Sequence, residues 1–176
     1  SELSSHPKLV AWLANDDLIR RFVAAIDNTA NGISPTTQLD FLRPEESFSV
    51  IEKGDTTVID PKSTARYDLA TQVFVSLDTE GCAALYAELE PLIDEAYAEI
   101  SPPGSRFSDR LEAAFDHLLA VTPPTGQPEV KRKVLTYVYV DESLENLSGA
   151  QRQFLRMGSD NVLLIKAKLR DLKAAL

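Results

Sequence analysis

The sequence predicts a mostly α (α+β) fold: a single helical-bundle-like domain over residues 1–176, with a small antiparallel β-hairpin plus one further strand. Apolar residues recur three and four positions apart along most of the chain, the spacing of helices that bury one face. Within residues 47–60, two β-rich runs flank a Gly54-Asp55 turn and indicate the hairpin. Apolar side chains on both faces of residues 134–140 indicate a strand inside a small sheet beside that hairpin.

The helices begin and end at residues with known capping and breaking preferences. In the first part of the chain we expect a short helix after Pro7, a helix that Asn15, Asp16 and Asp17 cap and Asn31-Gly32 ends, and a helix that Ser63 caps. In the middle we expect a helix over residues 82–97 that Pro91 kinks or splits, and a helix over residues 107–119. Towards the end we expect a helical turn over residues 141–147, a helix that a Ser148 capping box starts and Gly158 ends, and a last helix that Ser159 or Asp160 caps. Residues 101–104 and 122–128 are expected to be surface loops.

The acidic composition excludes two classes of partner. The 176 residues include 18 Lys and Arg against 27 Asp and Glu, a formal net charge of −9 with a pI near 4.7. Because phosphate binding needs a basic surface, a generic nucleic-acid binder is excluded. Docking on anionic lipid through the whole surface is excluded for the same reason. No apolar run approaches the roughly 20 residues of a membrane helix.

The sequence contains no recognisable catalytic or metal-binding framework. There are two histidines and one cysteine, with no Cys-x-x-Cys, His-Glu-x-x-His, Gly-x-Gly-x-x-Gly or Gly-x-Ser-x-Gly pattern. We therefore expect no metal and no cofactor. Cys82 and His117 would form a nucleophile–base pair only if the fold brought them together. We favour Cys82 as a small hydrophobe on an apolar stripe and His117 as a boundary residue.

Charge is divided unevenly along the chain. Residues 78–100 contain seven acidic residues and no basic one, whereas residues 151–176 contain six basic and two acidic residues. The acidic segment is either a solvated face or a site for a divalent cation or a basic partner. We expect the last helix to lie against it, oriented by the attraction of opposite charges.

The last helix has an apolar seam whose spacing alternates between three and four residues. The seam consists of Val162, Ile165, Leu169, Leu172 and Leu176. It either completes the core of its own chain or packs on a second copy across a two-fold axis. We expect a monomer or a weak homo-oligomer.

Five polar residues near predicted helix ends form the candidate site: Asp27, Arg66, Tyr67, Arg156 and Asn161. Asp27 lies near the end of a helix and Arg66 in the first turn of another, and the helix dipole disfavours both charges there. They therefore need tertiary partners, for example an Asp27–Arg66 or Asp27–Arg156 pair. The five residues form either a salt-bridge network that fixes how the helices meet, or a small-anion pocket that uses arginine and a helix N-terminus.

Several segments resemble a known family. They are RRFVAAIDN (residues 20–28), ARYD (65–68), PLIDEAY (91–97), and LENLS (144–148), running on to RMG (156–158) and Asn161. Together they resemble the uncharacterised bacterial domain of unknown function 3014. Ser159, where a proline is expected, is a departure at one helix start.

The resemblance supplies a context and no activity. It implies an N-terminal membrane segment and a polar linker before this domain, so that the domain is the soluble part of a longer, membrane-anchored protein. The location it implies is the periplasmic side of the inner membrane, with a cytoplasmic location left open.

The function is accordingly expected to be that of a non-catalytic interaction or structural domain of the bacterial cell envelope. The alternative is a small anionic ligand-binding domain or an unrecognised enzyme that uses the five polar residues. The expected partner is a protein, with no nucleic acid and with the membrane reached only through the N-terminal anchor.

Overall fold

The computed structural model describes residues 3–14 and 16–176. The helices are α1 (Pro7–Leu13), α2 (Leu18–Ala30), α3 (Pro61–Ala65), α4 (Asp68–Val75), α5 (Thr79–Ala98), α6 (Phe107–Leu119), α7 (Glu142–Glu145), α8 (Gly149–Leu155) and α9 (Ser159–Ala175). The strands are β1 (Val50–Lys53), β2 (Thr56–Ile59), β3 (Val130–Lys133) and β4 (Thr136–Tyr139). Short 3-10 turns, Pro35–Thr37 and Asp40–Leu42, connect α2 to β1. The predicted mostly α (α+β) class is confirmed.

The last helix, α9, lies at the centre of the packing. Helices α4, α5, α6 and α8 all pack against it, and α2 packs on α5 and α6. Val162 is fully buried, and Ile165, Leu169 and Leu172 lie with it in the core. The predicted seam therefore completes the core of its own chain at these four positions, whereas Leu176 is 46% exposed.

Two lysines of α9 are buried at the ends of other helices. Lys166 Nζ donates to the main-chain carbonyl of Val121, just beyond α6. Lys168 Nζ donates to the carbonyl of Leu77, just beyond α4, and to Thr79 Oγ1 at 2.9 Å. Burial lowers the pKa of Lys166. Both ammonium groups face carbonyl oxygens near helix C-termini, where the helix dipole favours a cation.

The last helix also lies against the acidic helix α5, as the charge pattern predicted. The contacts that hold it there are more specific than a general attraction. Its ion pairs, within the described residues, run from Lys173 to Asp116 and Glu112 on α6. The predicted position of α9 against α5 is confirmed, but the acidic partners of its ion pairs lie on α6 and not on α5.

Within the described residues, the β structure consists of two hairpins. The predicted single strand over residues 134–140 is therefore wrong in its bounds, because the strand here is Thr136–Tyr139. Antiparallel pairing joins β1 to β2 and β3 to β4. Val134 and Leu135 form the two-residue turn between β3 and β4, because Lys133 pairs with Thr136. The sequence pattern missed β3 because its last three residues are basic and exposed. The hairpins meet where Val58 pairs with Glu129, so the second lies beside the first as predicted.

The helix predicted to start at Ser63 is divided into α3 and α4. Asp60, rather than Ser63, caps α3, through a hydrogen bond from Lys62 N to Asp60 Oδ1 of 2.9 Å. The Ser63 carbonyl accepts from Arg66 Nε at 2.8 Å, while Tyr67 N donates to the carbonyl three residues back instead of four. An arginine side chain thus takes the acceptor that a continuous helix would use for its own main chain.

Two further helix predictions need correction. Helix α5 runs without interruption through Pro91, so the predicted split is wrong. Pro91 and Ala87 both lie on the exposed side, where water can satisfy the carbonyl that loses its helical donor. At the start of α2, Asn15 lies outside the described residues. Asp17 occupies the cap position without a side-chain capping bond.

The predicted capping box at Ser148 is confirmed, whereas the predicted cap of α9 is wrong. The Ser148 side chain accepts from Gln151 N, and the Gln151 side chain accepts from Ser148 N. Gly158 occupies the cap position of α9, and Ser159 Oγ donates to the Pro124 carbonyl at 2.8 Å. Gly158 has a φ of 89°, and a Cβ there would lie 2.7 Å from the Cβ of Thr64, so this close approach requires glycine.

No helix in the described part of the chain is long and apolar enough to cross a membrane.

The turn between β3 and β4 is strained and predicts an unusual stability effect. Val134 has a φ of 56°, and Gly54 at the equivalent position of the β1–β2 turn has a φ of 60°. Replacing Val134 with glycine removes this strain, so we expect Val134→Gly to stabilise the protein by about 1 kcal/mol in urea unfolding.

The β1–β2 turn supplies the matched control. A Cβ on Gly54 would meet nothing within 4 Å in the described structure, so Gly54→Val mainly adds backbone strain. It should destabilise the protein by about 1 kcal/mol or more. A destabilising effect of Val134→Gly would contradict this account of the turn.

Candidate functional site

Four of the five predicted polar residues lie where the α3–α4 junction meets the α8–α9 junction. Arg66 and Tyr67 connect α3 to α4. Arg156 follows α8 directly, and Asn161 lies in the first turn of α9. Asp27 lies on α2 and has other partners.

The Arg66 guanidinium joins three parts of the chain. Besides the Ser63 carbonyl, it donates to the carbonyl of Glu46 at 2.9 Å and to the Tyr67 hydroxyl at 3.4 Å. It also lies over two aromatic rings, 5.7 Å from the centroid of Phe48 and 5.1 Å from that of Tyr67. These contacts use both the planar donors and the cationic face of the guanidinium, which lysine could not reproduce.

Asn161 holds the start of α9 on the start of α4. The residue is buried, with 7% of its surface exposed. Its Nδ2 donates to Asp68 Oδ1 and to the Met157 carbonyl, both at 2.9 Å, and approaches the Thr64 carbonyl at 3.4 Å. A buried amide with three nearby acceptors is a structural tie, because removing it would leave those acceptors without a donor.

Arg156 connects the end of α8 to the second hairpin. Its Nη2 donates to the Tyr137 carbonyl at 3.1 Å. The Tyr137 ring in turn packs on Phe48, with centroids 5.7 Å apart, and Phe48 is the ring under Arg66. Burial raises the pKa of Tyr139, and the nearby Arg156 charge opposes that rise. Arg66 and Arg156 therefore belong to one cluster of cations and aromatic rings.

Asp27 does not pair with Arg66 or Arg156, so both predicted pairs are wrong. Its Oδ1 accepts from Arg110 Nε on α6 at 2.9 Å, and its Oδ2 accepts from Asn31 Nδ2 at 3.1 Å. The Asp27 and Arg110 side chains are 26% and 27% exposed. Asp27 has a cationic partner, as its position near a helix C-terminus predicted. That partner, Arg110, is 83 positions away in sequence, so the two residues meet only in the folded chain.

An open groove lies beside this ion pair, between the end of α2, the α5–α6 loop and the start of α6. It is lined by Asp27, Asn31, Tyr97, Ile100, Ser101, Pro102, Ser105, Arg106, Asp109 and Arg110. Neither this groove nor a second one between α2 and α5 is lined by Arg66 or Arg156. Of the five predicted residues, Asp27 lines the first groove, whereas the cluster around Arg66 and Arg156 lies away from both grooves.

The groove has donors that its own residues do not use. Arg106 binds Asp109 through Nε and Nη2, and Arg110 binds Asp27 through the same two nitrogens. Nη1 of each arginine makes no hydrogen bond within the described residues. Tyr97 is 97% buried, since only 3% of it is exposed, and its hydroxyl has no hydrogen-bond partner in the described ranges. Burial raises the pKa of Tyr97.

His117, which the sequence suggested as a boundary residue, is half-buried and has a hydroxyl partner. Its Nε2 lies 2.7 Å from Ser148 Oγ. The same Ser148 Oγ accepts from Gln151 N, and the Gln151 side chain donates to the His117 carbonyl at 2.9 Å. Ala150 N donates to the Gly32 carbonyl at 3.1 Å. His117 therefore lies where the C-terminal ends of α2 and α6 meet the N-terminal end of α8, and its partner is not Cys82.

Cys82 and the acidic residues of α5 have no arrangement typical of a reactive centre. Cys82 is half-buried against the core, and burial raises the pKa of its thiol, which disfavours the reactive thiolate. Within residues 3–14 and 16–176, no group of three or more His, Cys, Asp or Glu side chains could hold a metal ion.

Comparison with known proteins places the chain in a family. The family described as "Protein of unknown function (DUF3014)" matches residues 18–173 of the 176-residue chain. No curated protein and no solved structure matches the chain. The match covers nearly the whole sequence, which confirms the resemblance inferred from its segments. The chain therefore belongs to the DUF3014 family of proteins of unknown function.

Proposed function

We propose that this chain is a non-catalytic interaction domain of the bacterial cell envelope. The observation that carries the proposal is that the polar cluster binds acceptors within the protein itself. Arg66, Arg156 and Asn161 all donate to main-chain carbonyls of other segments, those of Glu46, Tyr137 and Thr64, so they hold helix ends and a hairpin in place. Groups committed to internal acceptors are poorly available to a substrate. The periplasmic location and the membrane anchor before the domain are part of the proposal, supported by the family resemblance.

Exposed apolar side chains on α4 and α9 suit contact with a protein partner. Leu163 and Leu164 of α9 are 56% and 52% exposed. Leu69 and Val75 are exposed on α4, which packs beside α9. Large apolar side chains exposed on neighbouring helices favour a protein contact site, because burial of apolar area drives association.

A photo-crosslinking amino acid at Leu163, in the bacterium that makes the protein, tests this function. We expect a discrete protein adduct, and none from the same amino acid at exposed Glu88 on α5. Leu164→Asp should reduce the Leu163 adduct several-fold while leaving the melting temperature within a few degrees, because Leu164 is half exposed. No adduct at Leu163, or equal adducts at both positions, would count against the interaction function.

The groove beside Asp27 supports a second candidate function, the binding of a small anion. The specific observation is the buried Tyr97, which lines the groove and whose hydroxyl makes no hydrogen bond within the described residues. The free Nη1 groups of Arg106 and Arg110 are donors of the kind that recognise phosphate and carboxylate. This groove takes the place of the five-residue pocket in the alternative that the sequence suggested.

Inorganic phosphate is the probe for this candidate. We expect millimolar phosphate to raise the melting temperature of the protein by a few degrees, because a ligand of the folded state stabilises it. Arg106→Gln and Tyr97→Phe should each remove most of that rise, whereas Arg43→Gln, at an exposed arginine outside the groove, should leave it unchanged. A flat response, or an equal rise in all three variants, would eliminate the groove as an anion site.

A further inference from the structure

We propose that the turn between β3 and β4 docks this chain on the surface of a bilayer that contains anionic lipid. The proposal goes beyond the interaction function above, because it names a partner for a second surface. The docking tip is defined as Val134 and Leu135 with the three preceding residues, Lys131, Arg132 and Lys133.

The docking tip combines the two chemistries that hold a protein at a lipid surface. Val134 is 84% exposed and Leu135 is 88% exposed, more than any other large hydrophobic residue of the described chain. All three basic residues before them are exposed as well. Apolar side chains at the end of a projection can enter the boundary between headgroups and acyl chains, while adjacent cations contact lipid phosphates.

The backbone conformation of the turn indicates that folding does not require apolar residues at positions 134 and 135. The two hairpins have the same two-residue turn, which joins Lys53 to Thr56 in one and Lys133 to Thr136 in the other. One turn has Gly54 at the position of positive φ, and the other has Val134, a β-branched residue that is disfavoured there. Backbone strain that the fold does not require is typical of functional positions.

Within its own hairpin, the docking tip has only basic charges near its end, although the chain is acidic overall. Within this hairpin the closest acidic residue before the tip is Glu129, five residues from Val134. At the rise of an extended strand, that separation is about 16 Å. Attraction between exposed charges and a surface is screened over about 8–10 Å at physiological salt. The three basic residues are thus the nearest charges of the hairpin to any surface that the tip touches.

Flotation of the 176-residue chain with lipid vesicles tests the proposal. We expect it to bind vesicles of equal parts phosphatidylglycerol and phosphatidylcholine, to bind phosphatidylcholine alone far less, and to dissociate as salt rises to about 0.5 M. Val134→Gly with Leu135→Asp copies the other turn, so the variant should fold at least as well and bind about tenfold less or weaker still. Gln at all three basic positions should weaken binding by about 100-fold.

The matched control replaces three exposed basic residues elsewhere, Arg43, Lys62 and Arg170, with Gln, and should bind as the wild type does. Failure of the wild type to bind anionic vesicles overturns the proposal, and so does equal binding by the Gly-Asp variant. A photo-crosslinker at Leu135 that captures a protein while vesicles are ignored would make the tip a protein contact and also overturn it. None of these results affects the test at Leu163, so the two proposals fail separately.

Discussion

The requirement that two buried ammonium groups find acceptors determines where the last helix lies. Lys166 and Lys168 are each 92% buried, and an ammonium group away from water is costly unless it is hydrogen-bonded. Each reaches a carbonyl beyond the end of another helix, Val121 after α6 and Leu77 after α4. Because the donors are two residues apart on one helix, α9 has to lie between those two ends.

The rest of the structure is arranged around that placement. The apolar face of α9 fills the space between α4, α5 and α6. At its start, Gly158 allows the chain to pass close to Thr64, and Asn161 ties the first turn to Asp68. The Arg66 and Arg156 contacts then attach the hairpins to the same junction. We place ligand and partner chemistry at the exposed apolar side chains of α4 and α9, in the groove beside Asp27 and at the docking tip.

Local signals allowed much of the fold to be predicted, because periodicity and capping depend on nearby residues. The seam of α9 and the capping box at Ser148 are examples, and so is the Gly54-Asp55 turn. Three features depended on distant or unusual partners and were missed. The Arg66 side chain donates to the Ser63 carbonyl and so ends α3. Asp27 pairs with Arg110, which lies on a different helix. Val134 occupies a turn position of positive φ, where glycine is usual. The family match carries no functional description, so the candidate sites rest on geometry alone.

Native-state amide hydrogen exchange tests the central role of α9 most directly. If the buried lysines and the apolar face make this helix part of the cooperative core, its amides between Ile165 and Leu172 exchange only through global unfolding. They should then show the same free energy of opening as the buried amides of α6, and the same dependence on denaturant. Exchange of the α9 amides through a separate opening of lower free energy, while α6 stays protected, would contradict this account.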